Sequence, residues 1–146
     1  MLSLIGLSCT VRRPMAHEPV TADYRHTERG QMGETLKQVL DARRIPIARM
    51  ELSKGLIVTD SFEAAPEYCD CGMNFFGAQY PGTRRGQLRI QMSGTGETNL
   101  KFEFSALLTI TANNRKVKCT SFGKLEAEIL AELDKALGTA RTNAQN

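Results

Sequence analysis

The chain has 146 residues, of which 41% are hydrophobic and 24% are charged, so one ordinary domain with polar tails is expected. Its formal net charge of +3 is only mildly basic, and the arginine pairs at positions 12–13, 43–44 and 84–85 are scattered. We therefore expect no dedicated nucleic-acid-binding face. We also expect no transmembrane helix, because no apolar run reaches the length of about 18 residues that a span needs.

The first nine residues are mostly apolar and end at Cys9. This pattern is typical of the end of a bacterial lipoprotein signal, in which the cysteine thiol accepts the lipid, although the residues before Cys9 carry no charge. We expect a truncated signal over residues 1–9 and an acylated Cys9 that anchors the protein to the outer membrane, facing the periplasm. The alternative is a short buried strand that ends in a buried cysteine.

Residues 10–31 contain two prolines, both histidines and many charges without an apolar period, which predicts a flexible linker. A helix is predicted over residues 32–44, where apolar residues recur at helical spacing until Pro46 ends the pattern. A hairpin follows, with strands over residues 47–52 and 56–62. Gly55 lies in its turn, where freedom to adopt a positive φ is needed.

Residues 63–86 are predicted to form a long loop, and long loops without secondary structure are often functional. The loop contains four of the nine aromatic residues of the chain. Because aromatic residues and arginine are enriched at the centres of protein interfaces, we expect this loop to contact a partner. The alternative is that its aromatic side chains close the open end of the sheet. The predicted contact residues are Tyr68, Phe75, Phe76, Tyr80, Arg84 and Arg85.

Strands are predicted over residues 87–93, 99–112 and 115–119, because apolar and polar residues alternate as in a sheet with one wet face. The last helix is expected after Ser121, a favourable N-cap, with an apolar stripe that ends before Gly138. The order helix, five strands, helix predicts a two-layer α+β domain over residues 32–137. In it, two helices cover one face of a mainly antiparallel sheet of about five strands. Residues 138–146 are predicted to be a disordered tail.

The order of these elements and the hairpin segment Leu-Ser-Lys-Gly-Leu-Ile-Val-Thr, residues 52–59, resemble the helix-grip domain of bacterial envelope lipoproteins. The resemblance covers residues 32–137, and the distant relative is a lipoprotein of the outer-membrane β-barrel assembly machinery. It implies a membrane-tethered module with an envelope protein as partner. The segment Tyr-Cys-Asp-Cys-Gly, residues 68–72, departs from the pattern of that lipoprotein and indicates a separate group of lipoproteins with the same fold.

Three further cysteines, Cys69, Cys71 and Cys119, are expected to lie in an oxidising compartment, where thiols tend to pair. Cys69 and Cys71 lie on the same side of an extended segment, so either can reach Cys119 at the end of its strand. We expect the bond Cys71–Cys119, because Gly72 permits a close backbone approach, and Cys69 is the alternative partner.

A zinc site formed by these three thiolates with His17 or His26 is a less favoured alternative, because both histidines fall in the predicted linker. The sequence contains no motif typical of nucleophilic, phosphate-binding or zinc-protease sites, so we predict no catalytic residue, metal or cofactor. The expected function is a membrane-tethered envelope module that binds a protein or has a structural role. The alternatives are a periplasmic carrier of a small apolar ligand and a cytosolic domain that binds nucleic acid or metal.

Overall fold

The structure is a computed structural model that describes residues 11–138. Its described elements form an α+β fold with two helices and eight strands. The helices are α1 (Arg29–Ala42) and α2 (Lys124–Leu137). The strands are β1 (Val20–Arg25), β2 (Ile47–Glu51), β3 (Leu56–Thr59), β4 (Phe62–Glu63), β5 (Cys69–Asp70), β6 (Gly82–Ser93), β7 (Glu97–Ile110) and β8 (Lys116–Ser121).

All eight strands belong to one open antiparallel sheet, which is built around the long hairpin of β6 and β7. The main path of the sheet is β2-β3-β6-β7-β8-β5, while β1 also pairs with β7 and β4 with β6. The edge of β7 that does not pair with β6 pairs with two strands. Residues 97–102 pair with β1, and residues 105–109 pair with β8. Strand β8 therefore carries β5, and with it the cysteine-rich segment, at one edge of the sheet.

Alternation of apolar and polar residues gives the central hairpin one buried and one wetter face. In β7, Phe102 and Leu108 are fully buried, whereas Lys101 and Glu103 at alternate positions form an ion pair of 3.1 Å. Each large apolar side chain buried in this way stabilises the folded state by roughly 1.5–3 kcal/mol relative to an exposed one. This is the pattern that the sequence predicted for the longest strand.

Both helices contribute apolar residues to the same core cluster as the sheet. Leu36 and Leu40 of α1 and Ile129 and Leu133 of α2 are fully buried. Helix α1 contacts α2 and β7, and α2 contacts β1. Within residues 11–138, neither helix is long and apolar enough to cross a membrane.

The linker predicted for residues 10–31 is wrong over much of the range that the structure describes. Val20–Arg25 forms β1 along one edge of β7, and α1 already begins at Arg29. Tyr24 of β1 is buried and donates a hydrogen bond of 2.6 Å to Asp134 of α2. The strand was missed because it has only three inward positions, Val20, Ala22 and Tyr24, which are too few to show a clear period.

The loop predicted for residues 63–86 is also shorter than expected. Strand β6 begins at Gly82, and the two-residue strands β4 and β5 pair with β6 and β8. Strands of two residues are too short to show a period, so the predicted order lacks them along with β1. Residues 71–81 remain without regular strand pairing, apart from a single bridge between Met73 and Arg12.

Candidate functional site

Three cysteines come together where β5 meets β8. Cys69 lies opposite Ser121 in the antiparallel register, and continuing this register by two residues places Cys71 opposite Cys119. The sulfur atoms of Cys71 and Cys119 form a disulfide, and their Cα atoms are 4.3 Å apart. The bond spans a sequence separation of 48 and ties the start of the 71–81 segment to β8. It joins the pair that was expected from the sequence.

Cys69 is the free cysteine of the described residues, and only 1% of its surface is exposed. Its sulfur lies 3.8 Å from the sulfur of Cys71, and the three sulfur atoms of the cluster lie within 4.8 Å of one another. Burial raises the pKa of the Cys69 thiol, and the nearby guanidinium of Arg84 opposes this shift without cancelling it. The thiol is therefore protonated at neutral pH and is a poor nucleophile.

Arg84 is the charged group beside the sulfur atoms. It belongs to β6 and is 5% exposed, because alternation along this strand places it on the same buried face as Leu88 and Ile90. One of its terminal nitrogens donates to the carbonyl oxygen of Tyr80 at 3.2 Å, while its Nε has no hydrogen-bond partner among the described residues. The prediction that Arg84 contacts a partner is wrong, because its side chain is enclosed.

Asp70 fixes the other side of the cysteine-rich segment to the N-terminal residues. Its carboxylate is 3% exposed and accepts two hydrogen bonds of 2.9 Å from the guanidinium of Arg12. The backbone N–H groups of Gly72 and Met15 also donate to it, at 2.9 and 3.2 Å. Burial would raise the pKa of Asp70, but these donors outweigh burial and hold the pKa below its ordinary value.

Phe75 and Phe76 form an exposed pair, which we call the aromatic tip. They are 58% and 88% exposed, and their rings pack edge to face with centroids 5.3 Å apart. The turn that carries them is closed by Asn74, whose side-chain oxygen accepts from the backbone N–H of Phe76 and of Ala78 at 3.0 Å each. The backbone N–H of Asn74 in turn donates to the carbonyl oxygen of Ala78 at 2.8 Å. The tip thus presents apolar surface to solvent from a hydrogen-bonded turn.

The remaining predicted contact residues do not join the aromatic tip. Tyr68 donates to Glu128 of α2 at 2.7 Å, and Glu128 also pairs with Arg43 at 3.2 Å, so Tyr68 ties its turn to the helices. Arg85 is exposed on the opposite face of β6 from Arg84 and donates to the backbone and side-chain oxygens of Ser61. Of the six predicted contact residues, Phe75 and Phe76 are therefore the two that form the exposed apolar surface.

A cleft of about 390 Å³ lies beside the disulfide. Its lining includes three arginine residues as well as apolar residues. Sequence reasoning missed the cleft, because its walls come from positions separated by about a hundred residues. The lining residues are Val11, Arg12, Arg13, Pro14, Cys71, Tyr80, Ile110, Arg115 and Val117.

The other predicted site residues are the acylated cysteine and the two histidines. Cys9 lies outside the described residues. The ring of His17 packs edge-on against Phe122 with centroids 5.8 Å apart, and His26 lies in the turn before α1. Neither histidine belongs to the cysteine cluster within the described part of the chain.

Sequence comparison adds no family to this geometry. No family model matches the chain, and a search of curated proteins gives no significant match. The disulfide, the aromatic tip and the contacts that hold them in place are therefore the features that bear on function.

Proposed function

We propose that this chain is a domain of the bacterial cell envelope, tethered to the outer membrane by a lipid on Cys9, and that it acts as a protein-interaction module. The observation that carries the proposal is the aromatic tip, where Phe75 and Phe76 are exposed on a turn closed by Asn74. A preformed turn lowers the entropy lost on binding, and aromatic side chains dominate many interfaces. The tip is therefore the proposed point of contact.

Contacts at the start of the 71–81 segment support a tip that is held in one position relative to the sheet. The disulfide holds Cys71 to β8, and Met73 donates a hydrogen bond of 3.0 Å to the carbonyl oxygen of Arg12. Asp70 accepts from Arg12 immediately before the segment. Because disulfides persist mainly in oxidising compartments, the same bond favours a location outside the cytosol.

The proposed fold family is the helix-grip domain of envelope lipoproteins, in which two helices lie across one face of a sheet. Its support here is the alternating burial of β6 and β7 together with the contact between α1 and α2. The described core is filled by large side chains such as Leu36, Phe102 and Ile129, so we favour a contact module over a carrier of an apolar ligand. A lipoprotein of the β-barrel assembly machinery is the proposed distant relative.

Site-specific photo-crosslinking in the native host tests the contact point. A photoreactive phenylalanine analogue is placed at position 76 of the full chain, and at position 122 in a control, since Phe122 is an exposed phenylalanine outside the 71–81 segment. We expect one adduct of defined mass with an envelope protein from position 76 only. Excess wild-type protein should suppress this adduct, and excess Phe76→Ser protein should not. Equal adducts from both positions, or none from position 76, would refute the proposal.

The lipid anchor is tested separately by cell fractionation. Wild-type protein should partition with the outer membrane, and Cys9→Ser protein should not, because the thiol is the acyl acceptor. Several acyl chains are needed for stable anchoring, since one chain binds a bilayer only marginally. Recovery of both proteins in the same soluble fraction would contradict the anchor without bearing on the aromatic tip.

A further inference from the structure

The buried thiol of Cys69 has no role in the disulfide or in the proposed contact. Its sulfur lies 3.8 Å from that of Cys71, inside a cluster of three sulfur atoms that includes Cys119. Two thiolates bound to one tetrahedral Zn²⁺ at about 2.3 Å also lie about 3.8 Å apart. The spacing of Cys69 and Cys71 is therefore already that of two ligands of one metal ion.

The third sulfur belongs to the facing strand. The Cα atoms of Cys71 and Cys119 are 4.3 Å apart, so their thiols remain neighbours when the disulfide is reduced, as long as β5 and β8 stay paired. Alternation along the strand directs Cys69 to the same side as Cys71. Reduction thus converts a disulfide and a thiol into three thiols that surround one point.

Arg84 supplies the charge that such a site needs. Three thiolates and one divalent cation leave one negative charge, which is costly to bury without a partner. The guanidinium of Arg84 is buried beside Cys69, and its Nε has no hydrogen-bond partner among the described residues. This guanidinium already interacts with Cys69 in the disulfide form, so it is placed to donate to a thiolate there and neutralise the excess charge.

We propose that the reduced protein binds a thiophilic cation of the Zn²⁺ class through the sulfur atoms of Cys69, Cys71 and Cys119. A dithiol reductant transfers two electrons to the Cys71–Cys119 bond, takes up the disulfide itself and leaves two thiols on the protein. Binding then releases the thiol protons to solvent as three metal–sulfur bonds form. The fourth position of the metal is left to water or an external ligand, and oxidation of the pair closes the site.

The carboxylate nearest in sequence does not compete for this role. Asp70 points to the other side of β5 and is occupied by Arg12, Met15 and Gly72. The donor set of the cluster is therefore sulfur alone, which favours thiophilic cations over Mg²⁺ or Ca²⁺.

Zinc titration of the full chain tests the proposal, with Cys9→Ser as the common background so that no fourth thiol interferes. The reduced protein is freed of reductant under anaerobic conditions and titrated with Zn²⁺ against a chromophoric chelator. Cd²⁺ then reports sulfur ligation through its charge-transfer absorption. We expect one Zn²⁺ per reduced chain, none in the oxidised chain, and a higher unfolding temperature of the reduced chain with Zn²⁺.

Matched variants separate a built site from binding by loose thiols. Cys69→Ser leaves the disulfide pair intact and should abolish stoichiometric binding at the same Zn²⁺ concentration. Arg84→Met should weaken binding, and Arg84→Lys should restore part of it, since only lysine keeps the charge. Circular dichroism checks that each reduced chain is folded. Full binding by Cys69→Ser, no binding by the folded reduced chain, or a reduced chain that is unfolded and not refolded by Zn²⁺ would each overturn the proposal.

Discussion

Replacing Cys119 by alanine removes the covalent link between β8 and the segment that carries the aromatic tip. The disulfide closes a loop with a sequence separation of 48. In the chain-entropy description, a crosslink of this span stabilises the folded protein by about 4 kcal/mol, because it restricts the unfolded chain. The buried sulfur of Cys119 adds about 1 kcal/mol through lost apolar burial. We therefore expect Cys119→Ala to lower the free energy of unfolding by about 5 kcal/mol under oxidising conditions.

The matched control is Cys69→Ala, which removes a sulfur of similar burial without breaking a bond. It should lower the free energy of unfolding by only about 1 kcal/mol. Equilibrium urea unfolding followed by circular dichroism measures both variants, each with Cys9→Ser in the background. The difference of about 4 kcal/mol between the two variants should disappear when a reductant is present.

Two results would refute this reasoning. Equal stability of the two oxidised variants would mean that the Cys71–Cys119 bond contributes nothing. A difference that persists in reductant would assign the effect to packing around Cys119 rather than to the crosslink. Thiol alkylation and mass measurement before unfolding verify that Cys69 and Cys71 have not formed a new bond in Cys119→Ala.

Four further substitutions test the contacts around this segment and the core. Gly72→Ala should lower the free energy of unfolding, measured by urea unfolding, by about 1–3 kcal/mol. Gly72 has a φ of +82°, and an added Cβ would meet the carbonyl oxygen of Arg12. The pKa of Asp70 is lowered in the folded state, so its contribution is complete at neutral pH and is lost as the pH falls below about 5. Urea unfolding should therefore show a shallower acid loss for Asp70→Asn than for wild type. Ile129→Ala should lower the free energy of unfolding by about 2–5 kcal/mol, because Ile129 is fully buried, and Lys101→Ala should lower it by less than about 0.5 kcal/mol. Equal losses for the two variants would mean that the buried face of the sheet is misassigned.

The central hairpin and the helices could be predicted because their signals are local and repeated. Apolar and polar residues alternate over the fourteen residues of β7, so its buried residues, including Phe102 and Leu108, can be predicted from the sequence. The apolar stripes of α1 and α2 likewise recur at helical spacing, and their inward residues are buried. Long elements can thus be predicted from the spacing of their own apolar residues.

The contacts that hold the aromatic tip could not be predicted, because they join residues far apart in the chain. Arg12 and Asp70 are 58 positions apart, and neither carries a local signal of the pairing. Arg84 looks like half of an exposed arginine pair until β6 is seen to begin at Gly82, which places alternate residues inward. The disulfide partner was accessible only because three cysteines leave few combinations and a glycine follows one of them.

The aromatic tip is held in place by Arg12, a residue near the N-terminal end of the described chain. Arg12 is bonded to Met73, which lies two residues before Phe75. The guanidinium of Arg12 also pairs with Asp70, just before the 71–81 segment. Backbone and side chain of one residue therefore hold the segment at two points, so the exposure of Phe75 and Phe76 depends on contacts made far away in the sequence.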